Sequence, residues 1–102
     1  MEKEFVVRVH KGYRWLVAIC DSCLKGKVFD EGEKQLDIST RFFEGDFVNK
    51  EELKNIIVKM RSEDATFYIV GDKSVDVVKS VGLVGKDGVM KIAGISFALI
   101  LL

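Results

Sequence analysis

The sequence predicts an α/β domain, α+β-like in organisation, in which a mixed β-sheet of about five to six strands carries two main helices. Three observations lead there. Two segments near the start alternate or run apolar with the period of strands. A capped stretch in the middle repeats its apolar residues at helical spacing. A short β-prone run, Thr66–Val70, passes directly through Gly71 into a second helical pattern, as α/β folds do. The order along the chain is β-β-β-α-β-α-β-β. Residues 1–102 read as a single domain, since no repeat, low-complexity stretch or linker divides them.

Phe5 to His10 places Phe5, Val7 and Val9 on one face, and Lys11-Gly12-Tyr13 turns the chain into Arg14 to Cys20. These two strands form a hairpin. In the second, both alternating sets are apolar, as in a strand covered on both faces. If pairs sum to about 25, His10 faces Trp15 and Cys20 faces Phe5. Asp21 then caps a single helical turn over Ser22 to Lys25, ended by Gly26. A third strand spans Lys34 to Ser39 after the acidic turn Asp30-Glu31-Gly32-Glu33, and Arg41 to Gly45 makes an irregular connection bearing Phe42 and Phe43.

Val48-Asn49-Lys50-Glu51-Glu52-Leu53 is the clearest local signal. Asn49 is an N-cap, Glu52 completes a capping box, and Val48 with Leu53 has the spacing of a hydrophobic staple. Leu53, Ile56, Ile57 and Met60 make one apolar face of a helix over 50–61, with acids at its start and bases at its end. After the strand Thr66–Val70, a second helix over 73–81 carries Val75, Val78 and Val81 and closes at Gly82-Leu83. Val89 to Ala93 and Phe97 to Leu102 are the last strands, turned at Gly94-Ile95-Ser96.

Composition bounds the function. The chain has 102 residues, 48% of them hydrophobic and 31% charged, which suits one folded core. Sixteen basic and sixteen acidic side chains cancel, and residues 1–37 hold seven of each sign. Generic nucleic-acid binding is therefore disfavoured, and only a local patch is compatible with this balance. The longest apolar stretch, Ile92 to Leu102, has 11 residues and contains Gly94 and Ser96, too short for a bilayer span of ~20. No membrane association, no disulfide framework and a cytoplasmic location are expected.

Two places carry residue types that could do chemistry. Cys20-Asp21-Ser22-Cys23 is a CxxC at a strand end. Structural zinc needs four ligands, no second pair exists, and the lone His10 sits five strand residues, roughly 16 Å, from Cys20. A redox CxxC opens a helix to lower its thiol pKa, whereas the helix here lasts about one turn. Gly71-Asp72-Lys73 lies between a strand and a helix, where such folds bind ligands, yet it lacks phosphate-loop spacing and Asp72 would occupy the cap itself. The ligand-binding candidates are thus Cys20, Asp21, Cys23, Gly71, Asp72 and Lys73. No catalytic residue, metal site or cofactor is assigned. The acidic run Asp30, Glu31, Glu33 and Asp37 lacks a calcium-loop pattern and reads as a solvated turn. The unbroken apolar run Phe97–Leu102 is either core or the interface of a homodimer.

The segments Ile19-Cys20-Asp21 and Leu24-Lys25-Gly26-Lys27 after a hairpin, Val70-Gly71 entering a helix, Gly82-Leu83 closing it and the ending Ile92-Ala93-Gly94-Ile95 are collinear over nearly the whole chain. In this the chain resembles a family of small, mostly archaeal proteins, domain of unknown function 424 (DUF424). The resemblance implies an archaeal source, no established activity and, as a loose expectation, work beside the translation machinery. The functional expectation is a non-catalytic binding or accessory protein acting through protein or ribonucleoprotein contacts. The alternative is a small-molecule site or thiol-dependent enzyme built around Cys20, Cys23 and the Gly71 turn.

Overall fold

The computed structural model describes residues 3–83 and 88–101. Its strands are β1 (Phe5–Lys11), β2 (Trp15–Asp21), β3 (Val28–Glu31), β4 (Lys34–Asp37), β5 (Asp46–Val48), β6 (Thr66–Val70), β7 (Met90–Ile92) and β8 (Ile95–Ile100); its helices are α1 (Lys50–Ser62) and α2 (Asp72–Ser80). Six strands form one mixed sheet in the order β5-β1-β2-β6-β8-β7, and β3 with β4 forms a separate hairpin. The α/β class, the mixed sheet and the two main helices are as the sequence predicts. No helix among the described residues is long and apolar enough to cross a membrane.

The sheet is covered unequally on its two faces. Phe5, Val7, Val17, Ile19, Phe67 and Ile69 point to one side, where Leu53, Ile57 and Met60 of α1 and Val75 and Val78 of α2 bury them. Each such side chain contributes about 1.5–3 kcal/mol when taken from water. Val6, Ala18, Cys20 and Val70 point to the other side, beneath Leu36 and Ile38 and the ring of Phe43. This explains why β2 is apolar at every position from Trp15 to Cys20. It lies between β1 and β6 with a layer on each face.

The capping box at α1 forms as written in the sequence: Glu52 N donates to Asn49 Oδ1 at 2.9 Å and Asn49 N to Glu52 Oε1 at 3.0 Å. At the end of α2, Leu83 N donates to Val78 O and Gly82 N to Lys79 O, with Gly82 left-handed at φ 75°, the paired bonds of a Schellman ending.

Several expectations are corrected. The first hairpin pairs one residue further along, so His10 faces Leu16 and Cys20 faces Val6. The predicted third strand does not join the main sheet; Lys34–Asp37 pairs with Val28–Glu31 across the two-residue turn Gly32-Glu33, a strand that reading the acids as a solvated turn concealed. β5 was concealed too. It is only three residues long, pairs with Phe5–Val7, and enters at Gly45, where any Cβ would collide with the Val7 carbonyl. The last turn falls at Ala93-Gly94, both with positive φ, so β8 begins two residues earlier than expected. β8 is an interior strand, paired with β6 on one side and β7 on the other. The expected run Phe97–Leu102 ends on Leu102, which lies outside the described residues.

Candidate functional site

The structure brings together most of the residues the sequence singles out, because β2 and β6 are neighbouring parallel strands. The chain leaves β2 at Asp21 and leaves β6 at Gly71, so these two exits lie side by side. α2 starts there with Gly71 at its N-cap position and no side-chain cap of its own. The cap comes from the adjacent strand instead. Asp21 is buried, 4% exposed, and its Oδ1 accepts from Ser74 Oγ at 2.6 Å and Ser74 N at 2.8 Å, while Oδ2 accepts from Lys73 N at 3.2 Å. A carboxylate facing the first amides of a helix satisfies donors that otherwise have no partner and complements the positive end of the helix dipole.

This arrangement dictates Gly71. Its φ of 114° lies where side-chain-bearing residues are strained, and a Cβ there would stand 2.5 Å from Asp21 Oδ1 and 2.6 Å from Oδ2. The carboxylate occupies the room a side chain would need. The expectation that Asp72 takes the cap is corrected: Asp72 is the first helical residue, and its Oδ1 accepts from Ser96 N of β8 at 3.2 Å. Hydrogen bonding by Ser96, side chain first, holds the Asp72 carboxyl below its ordinary range. The tie is therefore present above the unfolded aspartate pKa and is lost only as pH falls through the lower folded value. Gly71 N in turn donates to Ser96 O at 2.7 Å, and Lys73 Nζ bridges to Glu4 Oε1 at 3.2 Å.

The two cysteines part company. Cys20 is fully buried in the face opposite the helices, and burial, with the Asp21 charge second, pushes its thiol up to about 12. Cys23, on the 3-10 turn Ser22–Leu24, is exposed, and both thiols are free. Asp21 stands at the cap position of that turn but sends its side chain to α2, so the predicted cap of Ser22–Lys25 is not made. Among the described residues no group of three or more His, Cys, Asp and Glu side chains converges to hold a metal. A cleft of about 260 Å³ borders the cluster at Lys73, lined also by Glu4, Phe5, Lys50 and Asp76.

Sequence reasoning gave no site role to Ser74 of α2, Ser96 of β8 or Glu4 before β1, which complete the cluster. It also missed an aromatic group at the opposite end of the sheet. His10, the lone histidine of the chain, is half-buried and stacked on Phe42 at 4.9 Å, and its Nε2 lies 3.0 Å from the Phe42 carbonyl, which can only accept. Phe42 meets Tyr68 edge-on at 5.7 Å, and burial raises the Tyr68 hydroxyl above its usual pKa. The signal available was the run Arg41-Phe42-Phe43 in a segment otherwise lacking apolar residues.

With this geometry in hand, the comparison with known families is decisive for membership. The profile of the family described as "Protein of unknown function (DUF424)" matches residues 9–102. The chain belongs to that family. A solved structure similar to this DUF424 chain is the crystal structure of an uncharacterized conserved protein from Methanopyrus kandleri, with a TM-score of 0.83, 22% identity, and coverage of 95% of this chain and 91% of that one. At that identity the likeness concerns the fold. No curated protein matches the sequence.

The thiol geometry of this DUF424 chain predicts its labelling. At pH 8 a thiol-specific aromatic disulfide should react with one cysteine of the native protein, Cys23, and with two after unfolding, because the Cys20 thiolate is both buried and rare at that pH. Two fast-reacting thiols in the native state would contradict the burial of Cys20.

Proposed function

We propose that the protein is a non-catalytic accessory protein of the cytoplasm that works by binding a macromolecular partner, a protein or a ribonucleoprotein. One observation carries the reading. The polar side chains gathered at the strand exits are spent on the fold: Asp21 caps α2, Asp72 holds β8 and Lys73 bridges to Glu4. A carboxylate already fills the place at the start of α2 that an anionic ligand would take in a related α/β arrangement. Cys20, with its thiol pKa near 12, is unsuited to nucleophilic work at neutral pH. The surface left over is that of a partner-binding protein.

Immobilised full-length protein, challenged with an archaeal lysate with and without ribonuclease, tests this. The expected result is one discrete partner in near-stoichiometric amount, retained after ribonuclease if it is a protein and lost if RNA mediates the association. Recovery of no partner, together with turnover in a broad substrate screen that disappears on Cys23→Ser or Lys73→Ala, would favour the small-molecule or thiol alternative.

A homodimer is a second proposal, favoured by exposure at the sheet's C-terminal side. Leu99 is 49% exposed and Leu101 and Met90 more so, with no charged residue between Ser96 and Leu101 to discourage association. Two-fold pairing there would bury all three. Light scattering should find a dimer at high concentration that Leu99→Lys converts to a monomer; a wild-type monomer throughout would refute it.

A further inference from the structure

Cross-strand partners share a face of the sheet, which fixes what the face away from the helices presents beyond the residues the β3-β4 hairpin buries. Those positions include Arg8 and His10 of β1, Leu16 of β2, Thr66 and Tyr68 of β6, and the half-exposed Leu99 of β8, which pairs with Tyr68. None is a carboxylate. Two acidic residues next to the patch in sequence, Glu44 and Asp64, each have an arginine anchored on the main-chain carbonyl: Arg8 Nη1 donates to Glu44 O at 2.7 Å and Arg14 Nη2 to Asp64 O at 3.3 Å.

Arginine is distributed unevenly in this chain. Three of its four arginines, Arg8, Arg14 and Arg41, belong to this end of the sheet, and the fourth, Arg61, sits at the end of α1. Arg41 directly precedes Phe42 on the 3-10 turn that packs against β1 and β2. The rings of His10, Phe42 and Tyr68 are half-buried and brace one another, at 4.9 Å stacked and 5.7 Å edge-on, so their orientations are set before any ligand arrives.

Braced rings on a sheet, rimmed by guanidinium groups and free of carboxylates at the strand positions, complement a single-stranded nucleic acid. Bases present π-faces for stacking, and phosphates accept the planar arginine fork. Base-exposed single strands are chiefly the loops and ends of RNA. Resting on the binding reading above, we propose that this end of the sheet binds single-stranded RNA, with His10, Phe42 and Tyr68 as the stacking surface and Arg8 and Arg41 at the phosphates. The zero net charge fits, because a few local arginines supply a short-range attraction without general affinity for duplexes.

Fluorescence anisotropy with labelled oligouridine and oligoadenosine of about twelve nucleotides, within the site sizes such surfaces span, tests the proposal on the full chain. Binding should weaken with salt, and Arg8→Ala with Arg41→Ala should lower affinity at least about tenfold while reducing the salt slope by about 1.4, or ~0.7 for each phosphate no longer neutralised. Phe42→Leu, with its melting temperature checked, should weaken binding about tenfold because one stacking surface is gone. Lys59→Ala on α1 should change nothing. If Phe42→Leu does not fold, the arginine pair decides alone. The proposal is overturned by no binding at low salt, by equal affinity for DNA of the same sequence, or by a Lys59→Ala effect as large as that of the arginine pair. Failure here with a ribonuclease-resistant protein partner still captured from lysate sinks this inference and leaves the binding reading standing; failure of both sinks both.

Discussion

A carboxylate buried at the end of a strand must find donors or cost several kcal/mol, and in this protein Asp21 finds them in the first turn of α2. Much of the architecture follows from that one tie. It fixes where α2 begins relative to β2, and it requires β6, which feeds α2, to lie beside β2 in the same direction. It excludes every residue but glycine at position 71. The start of α2 is fastened on its far side by Ser96 and at its outer edge by Glu4, so β8 and the segment before β1 converge on the same point.

The same tie shapes what function the fold can have. In sheets with neighbouring parallel strands, ligands usually sit beyond the strand ends, where helix amides face outward. Here those amides are occupied from within, and the strand exits become a structural joint. The reactive inventory near it is correspondingly poor: one thiol sealed in the core, one exposed on a short turn, and charges already paired. The proposed binding surface lies instead at the opposite end of β2 and β6, where the 3-10 turn lays Phe42 over His10.

How far the sequence revealed this depended on whether a feature was local. The α1 cap was readable because both partners of the capping box lie within four residues, and the ending of α2 was readable for the same reason. The full covering of β2 could be read from its lack of alternation. The joint was only half legible. Asp21, Gly71, Asp72 and Lys73 could be named as candidates, but Asp21 lies 53 residues from Ser74, and nothing in either neighbourhood tells that one caps the other. β5 escaped because three residues carry too little periodicity, and its one marker, Gly45, matters only through a close approach to Val7. The one-residue error in the first hairpin arose because the turn is Gly12-Tyr13-Arg14, with Lys11 still in β1 and paired to Trp15, and not the expected Lys11-Gly12-Tyr13. The last turn escaped because Ala93, not a glycine, adopts one of its two positive-φ positions.

The central claim is that Asp21 and the start of α2 form one energetic unit, and a double-mutant cycle measures it. Wild type, Asp21→Ala, Ser74→Ala and the double variant are unfolded in urea under identical conditions. The expected result is a loss of roughly 2–4 kcal/mol for Asp21→Ala, since three donors are left without their acceptor, and a coupling energy with Ser74 of about 1 kcal/mol or more. An Asp21→Ala variant within about 0.5 kcal/mol of wild type, or additive effects of the two substitutions, would contradict it.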